Sequence, residues 1–364
     1  MATEKPKILI IGGGIAGCIA AISLLEHYQV TIVDKLVEPM DKVGESLAPA
    51  SQRILRELKL LHDLETQEGV LYQQNVGMQS YWGSEQVQLI DHLRNPDGFV
   101  KSVNRKAFET FLRNTVKARG ATCIWGAKLY NSEFKNNTWQ VQLQTNDEKA
   151  SLQIHTAAFV IDASGRQAHF AKSIGIKRHV EDKLIACWAT LPNTKINTMS
   201  TIATANNGWW YSAVVPDNKR IIAFHTDADL IQKSDLKTTD SFLKLARETP
   251  AIANLLQEQK LNISLKGTVA ANSTKLEQVA GLQWVAIGDA ALSFDPLSSQ
   301  GMYNAMASAM QLCTLLLQYG FTETLQKIHT EQTERIWQHY LKHKIIFYQA
   351  ETRWKNAPFW QRRF

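Results

Sequence analysis

The chain is poor in the features that would make it a metal carrier, a disulfide scaffold, a membrane protein or a nucleic-acid binder. It has four cysteines in 364 residues, Cys18, Cys123, Cys187 and Cys313, and no two form a CxxC. That spacing points to neither a disulfide framework nor a zinc site. The ten histidines show no HxH or HxxxH metal pairing with carboxylate support, so no metal is expected. No stretch reaches the ~18 uninterrupted apolar residues that a membrane helix needs. Lys and Arg form no block, so the mild excess of +6 suits a solvated surface or a phosphate-bearing ligand better than a nucleic-acid footprint. Repeats and low-complexity tracts are absent. "KPKILIIGGG" enters a strand with no cleavable leader in front, which leads us to expect a soluble, cytoplasmic protein in a reducing compartment.

What is present is globular composition, 45% apolar and 20% charged, enough to build a large core in one or two domains. Lys7 to Ile11 reads as a buried parallel strand. It turns at "GGGIAG" into the apolar helix "CIAAISLLEHY", and a second strand, "QVTIVD", ends at Asp34. This is a dinucleotide fingerprint in its required context. Gly12 permits the tight turn, Gly14 lets a pyrophosphate approach, and Gly17 lets the helix pack closely. The helix start at Ile15 and Ala16 attracts phosphate, and Asp34, followed by Lys35, can accept from ribose hydroxyls. Cys18 lies on an apolar helix face, where a buried thiol is expected.

Two further segments carry chemistry. "VGESLAP" offers Glu45 and Ser46 before the helical run "SQRILREL". The pair can bond a cofactor or hold a loop against it; alternatively, Ser46 is a plain helix cap. "AIGDAALSFDPLSSQGM", 270 residues beyond the glycine loop, ends a strand at Gly288 and Asp289, passes Pro296, and opens a long apolar helix at Gly301 and Met302. Asp289 at a strand's carboxyl end can accept from sugar hydroxyls. Free N–H groups from Gly301 onward can stabilise negative charge.

Together with "NRKAFETFL", which holds Arg105, and "VIDASGR", which holds Asp162, these motifs occur in the order found in flavin-dependent monooxygenases and halogenases. The chain resembles that superfamily over nearly its whole length. The resemblance implies an α/β fold of the para-hydroxybenzoate hydroxylase type. It has a Rossmann-like FAD-binding domain, an inserted antiparallel β-sheet substrate domain and a helical C-terminus. The implied layout gives 1–70, 100–176 and 265–320 to FAD, 71–99 and 177–264 to the substrate domain, and 321–364 to a helical segment broken only at Pro358. It further implies that Arg105, Asp289, Pro296 and Gly301 contact the FAD.

"QSYWGS", "NGWWYSAVVP" and the tail "ETRWKNAPFWQRRF" look closer to the LodB/GoxB-type flavoproteins, which mature tryptophan-derived quinone cofactors of bacterial amino-acid oxidases. That likeness implies hydroxylation of a tryptophan in a precursor protein, using O2 and an external reductant. The alternatives are a small-molecule aromatic hydroxylase or halogenase-like enzyme, and a flavoprotein chaperone of the precursor. Tryptophan halogenases carry a lysine some thirty residues after the GES-like motif; here none occurs between Lys59 and Lys101. Their WxWxIP signature is replaced too, with Tyr211 and Ala213 at its tryptophan positions. Only one dinucleotide fingerprint is present, so the route of electrons to the flavin stays open.

For the substrate cavity the candidates are Trp82, Trp209, Trp210 and Tyr211, with core packing as the alternative for each. His225 and Tyr211 are the candidate acid/base groups, and His169 and His179 have weaker claims than either. The tail, with Arg353, Lys355, Arg362 and Arg363, can meet a membrane surface, dock a partner or fold back on the FAD domain.

Overall fold

The computed structural model describes residues 4–145, 151–193, 198–231, 236–256 and 262–363; Phe364 of the tail lies outside them. Its centre is a six-stranded sheet ordered Ala280–Gly281, Trp284–Ala286, Phe159–Asp162, Lys7–Ile11 (β1), Gln29–Asp34 (β2), Thr122–Trp125. All neighbours are parallel except the first pair. The apolar run of β1 is explained by burial on both faces. Ile8 and Ile10 pack with Ile15–Leu24 (α1) and the helix Gly301–Tyr319, while Leu9 and Ile11 pack under Trp139, Phe170 and Trp284. Each such side chain contributes about 1.5–3 kcal/mol by leaving water.

A second, seven-stranded sheet lies over the first unit. Its order is Ser264–Ala270, Leu184–Pro192, Lys219–Asp227, Gly208–Val215, Ser200–Ala205, Gly77–Tyr81, Gln88–Asp91. It is antiparallel except where Ser200–Ala205 runs parallel to Gly77–Tyr81. Side chains alternate across it, so Trp210 and Phe224 pack with Phe242 on the outer side, beneath helices Thr239–Arg247 and Pro250–Leu256. Trp209 and Tyr211 face the opposite way.

The C-terminal segment differs from its expected form. One helix runs Glu323–Gln349, started by the Thr322 side chain accepting from Leu325 N–H. The break falls after Gln349, and Pro358 begins a short helix, Pro358–Gln361, where its missing N–H costs nothing. The tail folds back, but onto the seven-stranded sheet instead of the unit built on the six-stranded sheet: Trp360 donates to Ala205 O at 2.9 Å and Arg363 pairs with Asp227 at 2.6 Å. Phe359 and Trp360 are fully buried, so this part of the tail is not a free membrane or docking element. No helix among the described residues is long and apolar enough to cross a membrane.

Candidate active site

The glycine loop is built for close approach. Gly12 has φ +115°, and a Cβ there would run into the Ala163 carbonyl; a Cβ on Gly17 would run into the Gly12 carbonyl. Around Gly14 the reverse holds, with nothing within 4 Å of where a side chain would project. The first helical bond is Cys18 N–H to Gly14 O at 2.9 Å, leaving the N–H groups of Ile15, Ala16 and Gly17 without helical acceptors at an open mouth. Such an arrangement can attract an anion. Asp34 accepts from Gly13 N–H at 2.7 Å and from Leu36 N–H at 2.8 Å, and Lys35 beside it is exposed. Cys18 is buried in the same helix, and burial pushes its thiol pKa far up, so it is inert.

Sequence reading missed the residue that braces this loop. Arg113 donates to Gly13 O at 2.9 Å, meets Asp34 at 3.2 Å, donates to Leu36 O at 2.9 Å and stacks over Trp125 at 4.4 Å. The signal was there in "RKAFETFLR". The helix Arg105–Ala118, capped by Asn104, stacks Arg105, Glu109 and Arg113 on one face at i, i+4, i+8. Arg105 donates to Gly44 O at 2.8 Å and pairs with Glu109 at 2.8 Å. Burial opposes ionisation of Glu109, but Arg105 and Lys42 hold its carboxyl below the usual range. The buried Arg105 Nε has no hydrogen-bond partner among the described residues.

Ser46 does not cap a helix. It pairs with Ser102 in the short strand Ser46–Leu47, and the following helix starts at Ser51. Glu45 is fully buried; Gly44 N–H donates to its Oε2 at 3.0 Å, while Oε1 has no hydrogen-bond partner among the described residues. Burial raises its pKa, against weaker pulls from backbone donors and the Tyr211 hydroxyl beside it. The Tyr211 pKa rises in turn, through burial and the Glu45 charge. The GES loop and the covering sheet therefore meet at this pair.

The distant segment closes on the glycine loop directly. Gly288, at φ +57°, lies so near α1 that a Cβ would come 2.8 Å from the Ala16 Cβ, and its N–H donates to Ser308 at 3.0 Å. Asp289 follows, about two-fifths exposed, with Arg166 of "DASGR" at 3.6 Å. Arg166 also donates to Phe294 O at 3.0 Å and so ties the Pro296 loop to the same point. Pro296–Ser298 forms one helical turn, and Gly301 opens its long helix with open space where a Cβ would be and no side-chain cap at Gln300. Met302 is buried in the core, so only its backbone faces the loop end.

Several candidates stand elsewhere than expected. Asp162 is fully buried with its oxygens taken by Ser164 and Ala171 N–H, so it shapes its own loop and presents no acceptor. Trp210 faces the outer helices, not the candidate cavity, because strand side chains alternate. Trp82 packs on Trp209, Tyr348 and Trp360 and donates to Phe347 O at 2.9 Å. His225 stacks on Trp209 at 3.7 Å, and burial pushes its pKa down to about 3, which removes it as an acid/base group at neutral pH. His169 and His179 are surface residues, the latter 3.0 Å from Glu181. One HxxxH spacing does occur, at His339 and His343, but no group of three potential metal ligands exists among the described residues. Trp188 and Val43, not singled out from sequence, pack together where the sheet meets the GES loop.

The residues fit an FAD. Two glycines with room in front of them, two uncapped helix starts, an accessible carboxylate at Asp289 and unpartnered buried atoms on Arg105 and Glu45 converge from segments far apart in sequence. The family model for the FAD binding domain matches residues 5–339. The chain belongs to that family. It is a flavin-dependent oxidoreductase with FAD as its cofactor. It is 29% identical to the putative FAD-dependent oxidoreductase LodB of Marinomonas mediterranea over 99% of this chain and 97% of that protein. It is 26% identical to the tryptophan 2-halogenase of Chondromyces crocatus over 98% of this chain and 70% of the other. Among solved structures, the peptidyl tryptophan dihydroxylase QhpG, essential for tryptophylquinone cofactor biogenesis, superposes with TM-score 0.78 at 20% identity, covering 99% of this chain and 78% of that one. The flavin-dependent halogenase CmlS superposes with TM-score 0.86 at 20% identity, covering 99% and 68%.

Proposed function

We propose that this flavoprotein hydroxylates a tryptophan side chain of a precursor protein during biosynthesis of a tryptophylquinone cofactor of an amino-acid oxidase. The glycine loop would hold the FAD pyrophosphate through the N–H groups of Ile15 and Ala16. Asp34 would take the ribose, Arg105 and Asp289 the remaining polar edge, and the helix start at Gly301 the ring. The seven-stranded sheet would cover the flavin and form the substrate side. The bound flavin supplies activation of O2, one oxygen atom entering the indole and the other leaving as water, with electrons from an external reductant. The chain's own residues orient the ring, exclude water and hold a proton at the Glu45–Tyr211 pair, a kind of contribution worth about 10²–10⁴ in rate.

The observation that carries this reading over halogenation is that no lysine occurs between Lys59 and Lys101, in a chain whose glycine loop leaves open space at Gly14. The near full-length similarity to LodB and the fold shared with QhpG point the same way. Halogenation remains the second reading because a tryptophan 2-halogenase is also a relative. The test is mass spectrometry of the quinone-free precursor of an amino-acid oxidase, before and after incubation with this protein, FAD, O2, a reductant and bromide. Oxygen gained on a tryptophan is the expected result. Bromine gained, or no change, would overturn it.

A further inference from the structure

The two edges of the seven-stranded sheet are treated differently. One edge, Ser264–Ala270, is guarded: its pairing carries a bulge at Trp188/Ala189, Gly267 sits at φ +105°, and Lys266 reaches Asp41 at 3.5 Å. These are the devices that stop an edge from pairing with another chain. The other edge, Gln88–Asp91, has no bulge in its pairing with Gly77–Tyr81, and contains no lysine or proline. All four residues are exposed. Leu89 is 65% exposed, Ile90 49%, Val87 44% and Leu93 72%. No described residue pairs with its outer side.

The register says which groups are free. His92 N–H bonds Val76 O at 3.1 Å, and Ile90 stands opposite Met78, so the inward hydrogen-bonded positions are His92, Ile90 and Gln88. Leu89 and Asp91 therefore turn their N–H and C=O outward. Ile90 lies on the same face as Met78, and Met78 packs in the cluster with Trp209, Tyr211 and Leu297 of the Pro296 loop. A strand added here would lay alternate side chains on the face that holds the candidate site.

We propose that the Gln88–Asp91 edge docks an extended segment of the protein substrate by strand addition. This rests on the reading of a protein substrate given above. Backbone donors and acceptors in a row fit an extended chain, and the flanking Val87 and Leu93 fit apolar side chains on it. Self-pairing of two such edges would join only four residues a side, far short of the ~800 Å² per partner of a stable interface. A precursor whose tryptophan enters the candidate site would add, to the edge, contacts on the face that Ile90 shares with Met78 and its cluster.

The test uses full-length flavin-loaded protein and the same quinone-free precursor. Leu89→Pro removes an outward N–H without removing a ladder bond. It should weaken precursor binding roughly tenfold, with FAD content and circular dichroism unchanged. Leu89→Lys, which keeps the N–H but charges the edge, should also weaken binding, and Leu89→Val should not. Wild-type affinity in both Leu89→Pro and Leu89→Lys overturns the docking proposal while leaving the hydroxylase reading intact. Sedimentation that shows a dimer dissociated by Leu89→Pro makes a second copy the occupant, and overturns it too. If the wild-type protein neither binds nor oxygenates the precursor, the functional reading fails first and the docking proposal falls with it.

Discussion

The indole N–H of Trp209 donates to the Tyr348 hydroxyl at 3.1 Å, and that hydroxyl donates to Asp295 Oδ2 at 2.7 Å. All three residues are buried, so one chain of hydrogen bonds joins the covering sheet, the C-terminal helix and the loop that carries Pro296. Tyr340 of the same helix accepts from Asp295 N–H at 2.9 Å. Tyr348→Phe removes one hydroxyl and strands two buried partners, at a cost of about 1–3 kcal/mol. Denaturant unfolding should show that loss, and the flavin absorbance band should shift as the loop relaxes. An unchanged midpoint and spectrum would mean the loop is held by other contacts.

Arg113→Ala should disable FAD binding more than its distance from solvent suggests. The variant leaves Asp34 and the Gly13 carbonyl without their shared donor and removes the stacking on Trp125. Breaking a buried pair of this kind costs about 3–5 kcal/mol. Fluorescence titration of the apoprotein with FAD should show a large loss of affinity, only partly restored by Arg113→Lys because an ammonium cannot span three acceptors. Wild-type affinity in Arg113→Ala would remove the bracing role.

Two glycines of one loop should separate folding from cofactor binding. A Cβ on Gly17 meets backbone, whereas a Cβ on Gly14 meets open space. Gly17→Ala should therefore fail to fold or melt far below the wild type. Gly14→Val should leave the melting temperature of the apoprotein nearly unchanged and weaken FAD binding by obstructing the pyrophosphate. Equal behaviour of the two variants in thermal melts would contradict this division.

His225 should show in stability and not in catalysis. Its pKa falls to about 3 in the fold against ~6.5 for a free imidazole, because burial disfavours the charge. The unfolded chain therefore takes up a proton between these values and the folded one does not. The contribution is fully present above about pH 6.5 and is lost as pH falls towards 3, with a ceiling on the order of 5 kcal/mol. Melting temperatures from pH 4 to 8 should have a shallower acid slope in His225→Phe, which keeps the stack on Trp209. The pH–rate profile should lack an inflection from this residue.

Tyr211→Phe should lower turnover by about 10²-fold or less while leaving FAD affinity near that of the wild type, since it removes a hydroxyl beside Glu45 and no proposed cofactor contact. Single-turnover oxygen transfer is the measurement that decides it. A turnover equal to the wild type's would leave the pair a purely structural contact.

Much of the site was legible because its signals are local. The glycine loop, the Asp34 that ends β2 and the uncapped helix at Gly301 each follow from residue type and near spacing, and these elements formed as expected. Alternation in "GWWYSAVV" already placed Trp209 and Tyr211 on one face and Trp210 on the other; naming Trp210 as a cavity residue overlooked that parity. The burial that silences His225 was not legible, nor was the saturation of Asp162 by its own loop, because both depend on neighbours brought in by folding. Pro358 read as a breaker, yet a proline is equally a helix start, and only the direction of the preceding chain chooses.

By itself the sequence determined that a glycine-rich strand–loop–helix lies near the start, that a second helix without a side-chain cap begins at Gly301, and that no lysine occurs between Lys59 and Lys101; short-range sterics and residue chemistry suffice for these. Tertiary structure alone decided that Gly288 comes to rest against Ala16, that Arg113 braces the loop, that Glu45 meets Tyr211, and that the tail is sealed onto the covering sheet. Those contacts join positions far apart in the chain, and their geometry is set by how whole layers pack, which no local pattern encodes.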